Sequence, residues 1–296
     1  MRIGRYGQRK GMLRGIRMSF ISKAKKAFVN ICPKSLIRPA AALFHKSKAI
    51  RCRADMFLFP GQMKVFCPCC GMKLRSFVAG SYTDYPTRMN PARYEHTRQD
   101  VLCPACKSLP RHRILASWFE GHKEMLKAAR ILYFAQDNSE AQWLKRNKVP
   151  YTTADLYRNA DLTLDIQKTG LPDESYDVII CNHVLEHVDD FRTALNEMYR
   201  ILRAGGSFIC SFPMDPKIEL LDEDPSVQTD EERLRRFGQH DHKRVFGMNA
   251  DRFLTEAGFD VEKIDGADFP EEILPVVGPA DYDMNILFRC VKPVAG

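Results

Sequence analysis

Nowhere does the 296-residue chain hold a run of eighteen or more apolar residues, so no membrane-spanning helix is expected. Its first 53 residues lack aspartate and glutamate altogether while carrying 15 Lys and Arg. The formal charge of +8 therefore resides in this arm, and the rest of the chain holds 30 basic against 37 acidic side chains, a net of −7. A net-acidic body argues against a nucleic-acid groove. A secretory apolar region with a clear cleavage site is also missing, which makes the cytoplasmic side the expected compartment. Glycine is absent from residues 131–144, ILYFAQDNSEAQWL, where an apolar strand runs into a helical pattern. A nucleotide-type cofactor site would normally place glycines at such a turn.

The arm itself is patterned. Residues 18–31, MSFISKAKKAFVNI, interleave lysine with Phe, Ile and Val at roughly helical spacing. Three readings stand: a surface helix drawn to anionic lipid, an Arg-rich targeting peptide, or a solvated tail upstream of a start at Met12 or Met18. The first would give peripheral membrane association through residues 1–53.

Five of the ten cysteines fall in two short clusters, FCPCCGMKLRSF at 66–77 and LCPACKSLPRHR at 102–113. Cys67 and Cys70 are spaced C-x2-C, as are Cys103 and Cys106, with 32 residues between the pairs. Such spacing brings two thiolates from one tight turn to a tetrahedral ion at about 2.3 Å, and two pairs make a closed four-thiolate zinc site. Cys69 is left outside this set, because the C-P-x-C pattern repeats only with Cys67 and Cys70. A redox pair would need a thioredoxin-like strand and helix around it, which the flanking sequence does not offer. The polar stretch between the clusters is either a loop at an active-site mouth or a plain connector.

Downstream the pattern alternates between strand and helix. A helical stretch at 110–129 precedes strand 131–135, helix 139–148, strands 151–156 and 162–166, strand 177–182 and helix 190–204. A turn at Gly205-Gly206 opens strand 207–213; helix 249–258 and strands 259–265 and 285–292 follow. The charged stretch 216–237 is either a cover over a substrate or a surface hairpin. Apolar strands alternating with helices imply an α/β fold with a mostly parallel sheet, whose ligands bind beyond the carboxyl ends of the strands.

Residues 172–213, PDESYDVIICNHVLEHVDDFRTALNEMYRILRAGGSFICSFP, resemble class I S-adenosylmethionine-dependent methyltransferases of the type 11 group. The paired C-P-x-C knuckles followed by S-L-P-R-H-R resemble a subgroup with a zinc module ahead of that domain. The resemblance implies a Rossmann-like sheet with its last strand antiparallel, organised as a basic arm (1–55), a four-cysteine zinc module (56–115) and a methyltransferase domain (116–296). Asp155, with Leu156 beside it, resembles the acid that accepts both ribose hydroxyls of the cofactor. Asp165 and Ile166 resemble the pair around the adenine. Asn182 and His183 fall where the methionine portion and methyl group would lie. The usual E/D-x-G-x-G turn is replaced by F-A-Q-D, with Phe134, Ala135 and Asp137 kept from the F-A-P-E turn of the zinc-bearing subgroup. The cofactor has no pyrophosphate, so the glycines are less needed than in a dinucleotide site.

Residues 183–187, HVLEH, also fit the H-x-x-E-H pattern of inverted zincins. That peptidase reading needs the motif inside a helix, whereas here it follows a buried strand, and Glu186 and His187 are expected to be structural. His183 and His242 are candidate bases or substrate contacts, since neutral histidine suits a hydroxyl or amine nucleophile. The function expected is methyl transfer to an O, N or C nucleophile of a small-molecule or glycan-type acceptor. An RNA methyltransferase recruited by the arm and zinc module, and a non-catalytic zinc-stabilised scaffold, are the alternatives.

Overall fold

The computed structural model describes residues 48–80, 98–273 and 286–294. The arm up to residue 47, for which membrane association was one of three readings, and residues 81–97 of the connector lie outside the described residues. The chain divides into two units, Met1–Arg51 and Cys52–Gly296, and the elements below belong to the second. Among the described residues no helix is long and apolar enough to cross a membrane.

Two short antiparallel pairs come first, β1 (Val65–Cys67) with β2 (Met72–Leu74) and β3 (Val78–Gly80) with β4 (Arg98–Leu102). Helix α1 (Pro110–Gly121) opens on a proline, whose fixed φ and missing amide suit the first helical position. The single helix expected over 110–129 is interrupted. His122 leaves the helical region at φ −118° and ψ 20°, next to the poor helix former Gly121, and α2 (Lys123–Ala128) restarts beyond it. The His122 ring stacks on Trp118 at 4.2 Å, which holds the break in place.

The body then follows the alternation: β5 (Ile131–Phe134), α3 (Asn138–Arg146), β6 (Thr152–Asp155), β7 (Leu162–Thr163), β8 (Tyr176–Asn182), α4 (Phe191–Ile201) and β9 (Leu202–Ser211). After these come β10 (Leu221–Glu223), α5 (Asp230–Phe237), β11 (Arg244–Phe246), α6 (Asp251–Glu256), β12 (Asp260–Asp265) and β13 (Ile286–Val291). Seven strands form one sheet in the order β12-β13-β9-β8-β5-β6-β7. Only β13 runs against the others, so the expected Rossmann-like sheet, mostly parallel with its last strand antiparallel, is present.

Strand β5 is buried along its whole length, as a central parallel strand covered on both faces must be. The core on one side gathers Phe191, Phe212, Phe246, Phe253 and Phe288, with ring centroids as close as 4.1 Å between Phe212 and Phe246. Helix α4 enters this core under a cap, Asp190 accepting from the amides of Arg192 and Thr193.

Two local expectations are corrected. Gly205-Gly206 does not open the fifth strand; β9 begins at Leu202, and residues between it and Ser207 bulge out of register with β8. A Cβ on Gly206 would stand 2.9 Å from the carbonyl oxygens of Arg203 and Asp177, so this glycine lets two backbones meet. The charged stretch 216–237 is not one loop: β10 pairs antiparallel with β11, and Thr229 and Glu232 form a capping box that starts α5.

Candidate functional site

The two cysteine knuckles are built alike. The amide of Gly71 donates to the Cys67 carbonyl and that of Lys107 to the Cys103 carbonyl, each at 2.8 Å. Gly71 (φ +73°) and Lys107 (φ +66°) hold the left-handed position one residue after each second cysteine. The turns bring the sulfurs of Cys67, Cys70, Cys103 and Cys106 within 4.8 Å of one another. Cys67 to Cys106 is 3.6 Å and Cys70 to Cys103 is 3.9 Å. Sulfurs bound tetrahedrally to zinc at about 2.3 Å stand about 3.8 Å apart, so this donor set fits the ion. Cys69 stays out of the cluster: its thiol donates to the His112 carbonyl at 3.3 Å, and burial pushes its pKa up. Ser108 stands 3.1 Å from the Cys67 sulfur, the kind of outer hydroxyl that steadies a thiolate.

Arg113 lies against this cluster and is fully buried. Its guanidinium donates to the carbonyls of Val101, Ser108 and Ile273 and covers the Phe77 ring at 3.9 Å. The knuckles also grip α3. Ser139 Oγ, in its first turn, donates to the Cys106 carbonyl at 3.2 Å, and Arg146 Nη2, in its last, donates to the Pro68 carbonyl at 2.8 Å.

Helix α3 follows the turn after β5, where the cofactor residues were placed. Phe134 pairs with Ala154 on β6 and with Cys181 on β8, so Asp155 and Asn182 each stand one residue beyond those partners and flank Ala135. Ala135 itself takes φ +47°, the left-handed conformation that a glycine would adopt freely, and donates its amide to the Ala154 carbonyl at 2.9 Å. Asp137 is the N-cap of α3, accepting from the Ser139 amide at 2.6 Å.

Asp155 is half-buried, and its Oδ1 accepts from the amides of Tyr157 and Arg158, each at 2.8 Å, closing the loop after β6. Leu156 is exposed on that loop. Asp165 ends the stretch after β7, its Oδ1 accepting from the Gln167 amide at 2.9 Å. Ile166 is buried in the main core, which its apolar side chain requires with or without a ligand beside it. Asn182 accepts from Ser211 Oγ at 3.0 Å and directs its amide at the Glu140 carboxylate at 3.4 Å.

Glu140 is a residue that pattern reading passed over. It sits on α3 beside Ala141, Trp143 and Leu144, and a carboxylate on that apolar face was the signal available. Tyr133, buried in β5, donates its hydroxyl to Glu140. Burial raises the Glu140 carboxyl to about 7, although the Tyr133 hydrogen bond pulls the other way. His112 Nε2 lies 3.9 Å from Glu140 and its Nδ1 3.9 Å from Asp137. Burial lowers the His112 pKa, so this ring is neutral and accepts the Leu109 amide at the start of α1.

His183, the second candidate at the end of β8, takes φ +54° and donates its amide to the Ser211 carbonyl at 2.8 Å. Its Nδ1 stands 3.3 Å from Glu186 Oε1. His187 lies 3.8 Å from that oxygen, and its ring meets His242 edge-on at 4.9 Å. Burial alone would push the Glu186 carboxyl up, but the surrounding histidines, His183 first, hold it at about 2. Burial lowers His242 to about 4, which leaves it neutral and a weak base. The segment 183–187 is a turn, so the helix an inverted zincin requires is not formed.

Residues 120–210 match the family model described as a methyltransferase domain. A demethylmenaquinone methyltransferase of Listeria monocytogenes is 32% identical over 75 residues, covering 25% of this chain and 32% of its own. The match thus spans about a third of that curated relative. Similar solved structures include a possible histamine N-methyltransferase of Thermotoga maritima, 19% identical over 62% of this chain and 91% of its own with a TM-score of 0.40. Another is the 1,6-didemethyltoxoflavin-N1-methyltransferase of Burkholderia thailandensis with that compound and S-adenosylhomocysteine bound, 15% identical over 62% and 79% with a TM-score of 0.42.

Proposed function

We propose that this protein transfers the methyl group of S-adenosylmethionine to an oxygen, nitrogen or carbon nucleophile of a small-molecule or glycan-type acceptor. The observation that carries the proposal is the flanking of Ala135 by Asp155 and Asn182 at the carboxyl edge of a parallel sheet, inside the stretch that matches the methyltransferase domain. When bound, the cofactor supplies an activated methyl on a cationic sulfonium. Asp155 Oδ1 already serves two backbone amides, and Oδ2 accepts from none of the described residues, so the carboxylate retains acceptor capacity for a ribose hydroxyl. The backbone of the Ala135 turn and Asn182 would hold the methionine portion, and Asp165 would accept from the adenine amine. Alignment of donor and acceptor provides the chief rate gain in such a transfer, which fits a site whose nearest buried histidine is a poor base.

Cys67, Cys70, Cys103 and Cys106 hold a structural zinc ion in this reading, in a module over residues 56–115 that precedes the methyltransferase domain at 116–296. A closed four-thiolate shell has no position for substrate, so its task is to brace the fold. The net-acidic body disfavours RNA as acceptor.

Calorimetry of the purified protein with S-adenosylmethionine and with S-adenosylhomocysteine tests the proposal. Binding that weakens at least tenfold in Asp155→Ala is expected. A folded protein that takes up neither ligand at millimolar concentration would leave only a scaffold.

A further inference from the structure

Glu186, His187 and His242 form a second cluster of potential ligands, apart from the cysteines. One ligand atom from each lies within 4.8 Å of the other two. The carboxylate of Glu186 is 1% exposed, and among the described residues neither of its oxygens accepts a well-directed hydrogen bond; its near neighbours are His183 Nδ1 at 3.3 Å and His187 Nε2 at 3.8 Å, and the buried Nδ1 of His242 has no partner among those residues. A buried anion whose only close neighbours are imidazoles is expensive without a cation, and the other large buried charge nearby is fully served. Arg244 donates to Glu223 and to the carbonyls of Leu185, Val188 and Asp189.

Those bonds also fix the cluster. Arg244 pins the turn on both sides of Glu186 and His187, while the Lys243 amide donates to the Glu186 carbonyl at 2.8 Å. The two loops that supply ligands are thereby stapled together. His187 turns Nε2 toward Glu186, and its Nδ1 lies 3.2 Å from the Asp241 carbonyl and 3.5 Å from the Asp241 carboxylate. An outer oxygen on the far ring nitrogen is the usual way a ligating imidazole is oriented.

We propose that Glu186, His187 and His242 bind a divalent transition-metal ion. Two imidazoles and one carboxylate suit Zn2+, Fe2+ or Co2+ and leave at least one position open. Ligands around such an ion stand about 3.4 Å apart, close to the 3.8 Å between His187 Nε2 and Glu186 Oε1, so binding would need only a small contraction. Glu186 and His187 lie in the turn that follows β8, so the ion would sit beyond that strand's carboxyl end. An open position there takes water or, if the methyl-transfer reading holds, an acceptor oxygen whose proton the ion makes easier to lose.

Cobalt(II) titrated into the full chain, with its cysteine site first filled with zinc, tests the site without any methyl donor. One equivalent is expected to bind with weak visible d–d bands and no sulfur charge-transfer absorption. Affinity is expected to fall at least tenfold in His187→Gln and in His242→Gln, with circular dichroism unchanged. Failure of the wild-type chain to develop a sulfur-free cobalt band would overturn the inference, as would undiminished binding in both variants. Because cobalt uptake is read without S-adenosylmethionine, the site can stand if methyl transfer falls, and the reverse.

Discussion

Arg146 lays its guanidinium over Gly71: a Cβ added to that glycine would stand 1.8 Å from Arg146 Nη1. The same guanidinium donates to the Pro68 carbonyl, so the last turn of α3 closes over the first cysteine knuckle. A residue of the knuckle and one of the sheet domain are thus chosen for each other.

Gly71→Ala tests that fit. The substitution strains a left-handed φ and displaces the arginine from Pro68, costing about 1–3 kcal/mol together. Arginine can swing aside, so the protein should fold, with its thermal midpoint lowered by several degrees in calorimetry. Arg146→Ala should lose the hydrogen bond alone, and adding it to Gly71→Ala should recover part of the clash energy.

Cys67→Ser combined with Cys103→Ser removes one thiolate from each knuckle. Metal analysis is expected to show zinc lost, and denaturant unfolding a decrease of about 3 kcal/mol or more, since a structural zinc contributes its binding energy to folding. Zinc retained at one equivalent in the double variant would refute the four-thiolate site.

Glu140 makes stability depend on pH in a definite direction. Its carboxyl is raised from 4.5 to about 7 by burial, so the folded state holds a proton that the unfolded chain releases first. Its stabilising share is complete below about 4.5 and is lost as pH rises through 7, by up to about 3 kcal/mol. Glu140→Gln should flatten that slope in denaturant titrations from pH 5 to 8. A slope unchanged by the substitution would show that the carboxylate is not the titrating group.

Ala135→Gly should raise the unfolding free energy by about 0.5–1 kcal/mol, because glycine takes φ +47° without the Cβ penalty. Ala135→Val should cost about 2 kcal/mol or more, since a β-branched residue tolerates that conformation least. The pair, measured by denaturant midpoints, distinguishes strain at this turn from ordinary loop variation.

Strand–helix alternation and cysteine spacing were legible because both are local: a period of residues or two thiolates in one turn. All the large strands fall within a few residues of their expected places. The bulge before Ser207 was not legible, since Gly205-Gly206 has the composition of a turn and only the approach of Asp177 reveals its use. Tyr133, Glu140, His112 and Asn182 come from four separate elements, and no spacing in the sequence announces that they meet. His242 lies 55 residues beyond His187 and reaches it only because β10 and β11 fold the intervening charged stretch back. Asp137 was expected beside the cofactor; what the structure shows is its place as the cap of α3.

The grip of the knuckles on α3 at Ser139 and at Arg146 has a consequence for the glycine-free turn just before it. Glycine loops owe their shape to a ligand that gathers them, and some binding energy goes into that ordering. Here the first and last turns of the helix are clamped from outside, Asp137 caps it, and Ala135 is already held left-handed. The corner is preorganised: what enters it meets a shape set in advance, and little of its affinity is spent on arranging the protein.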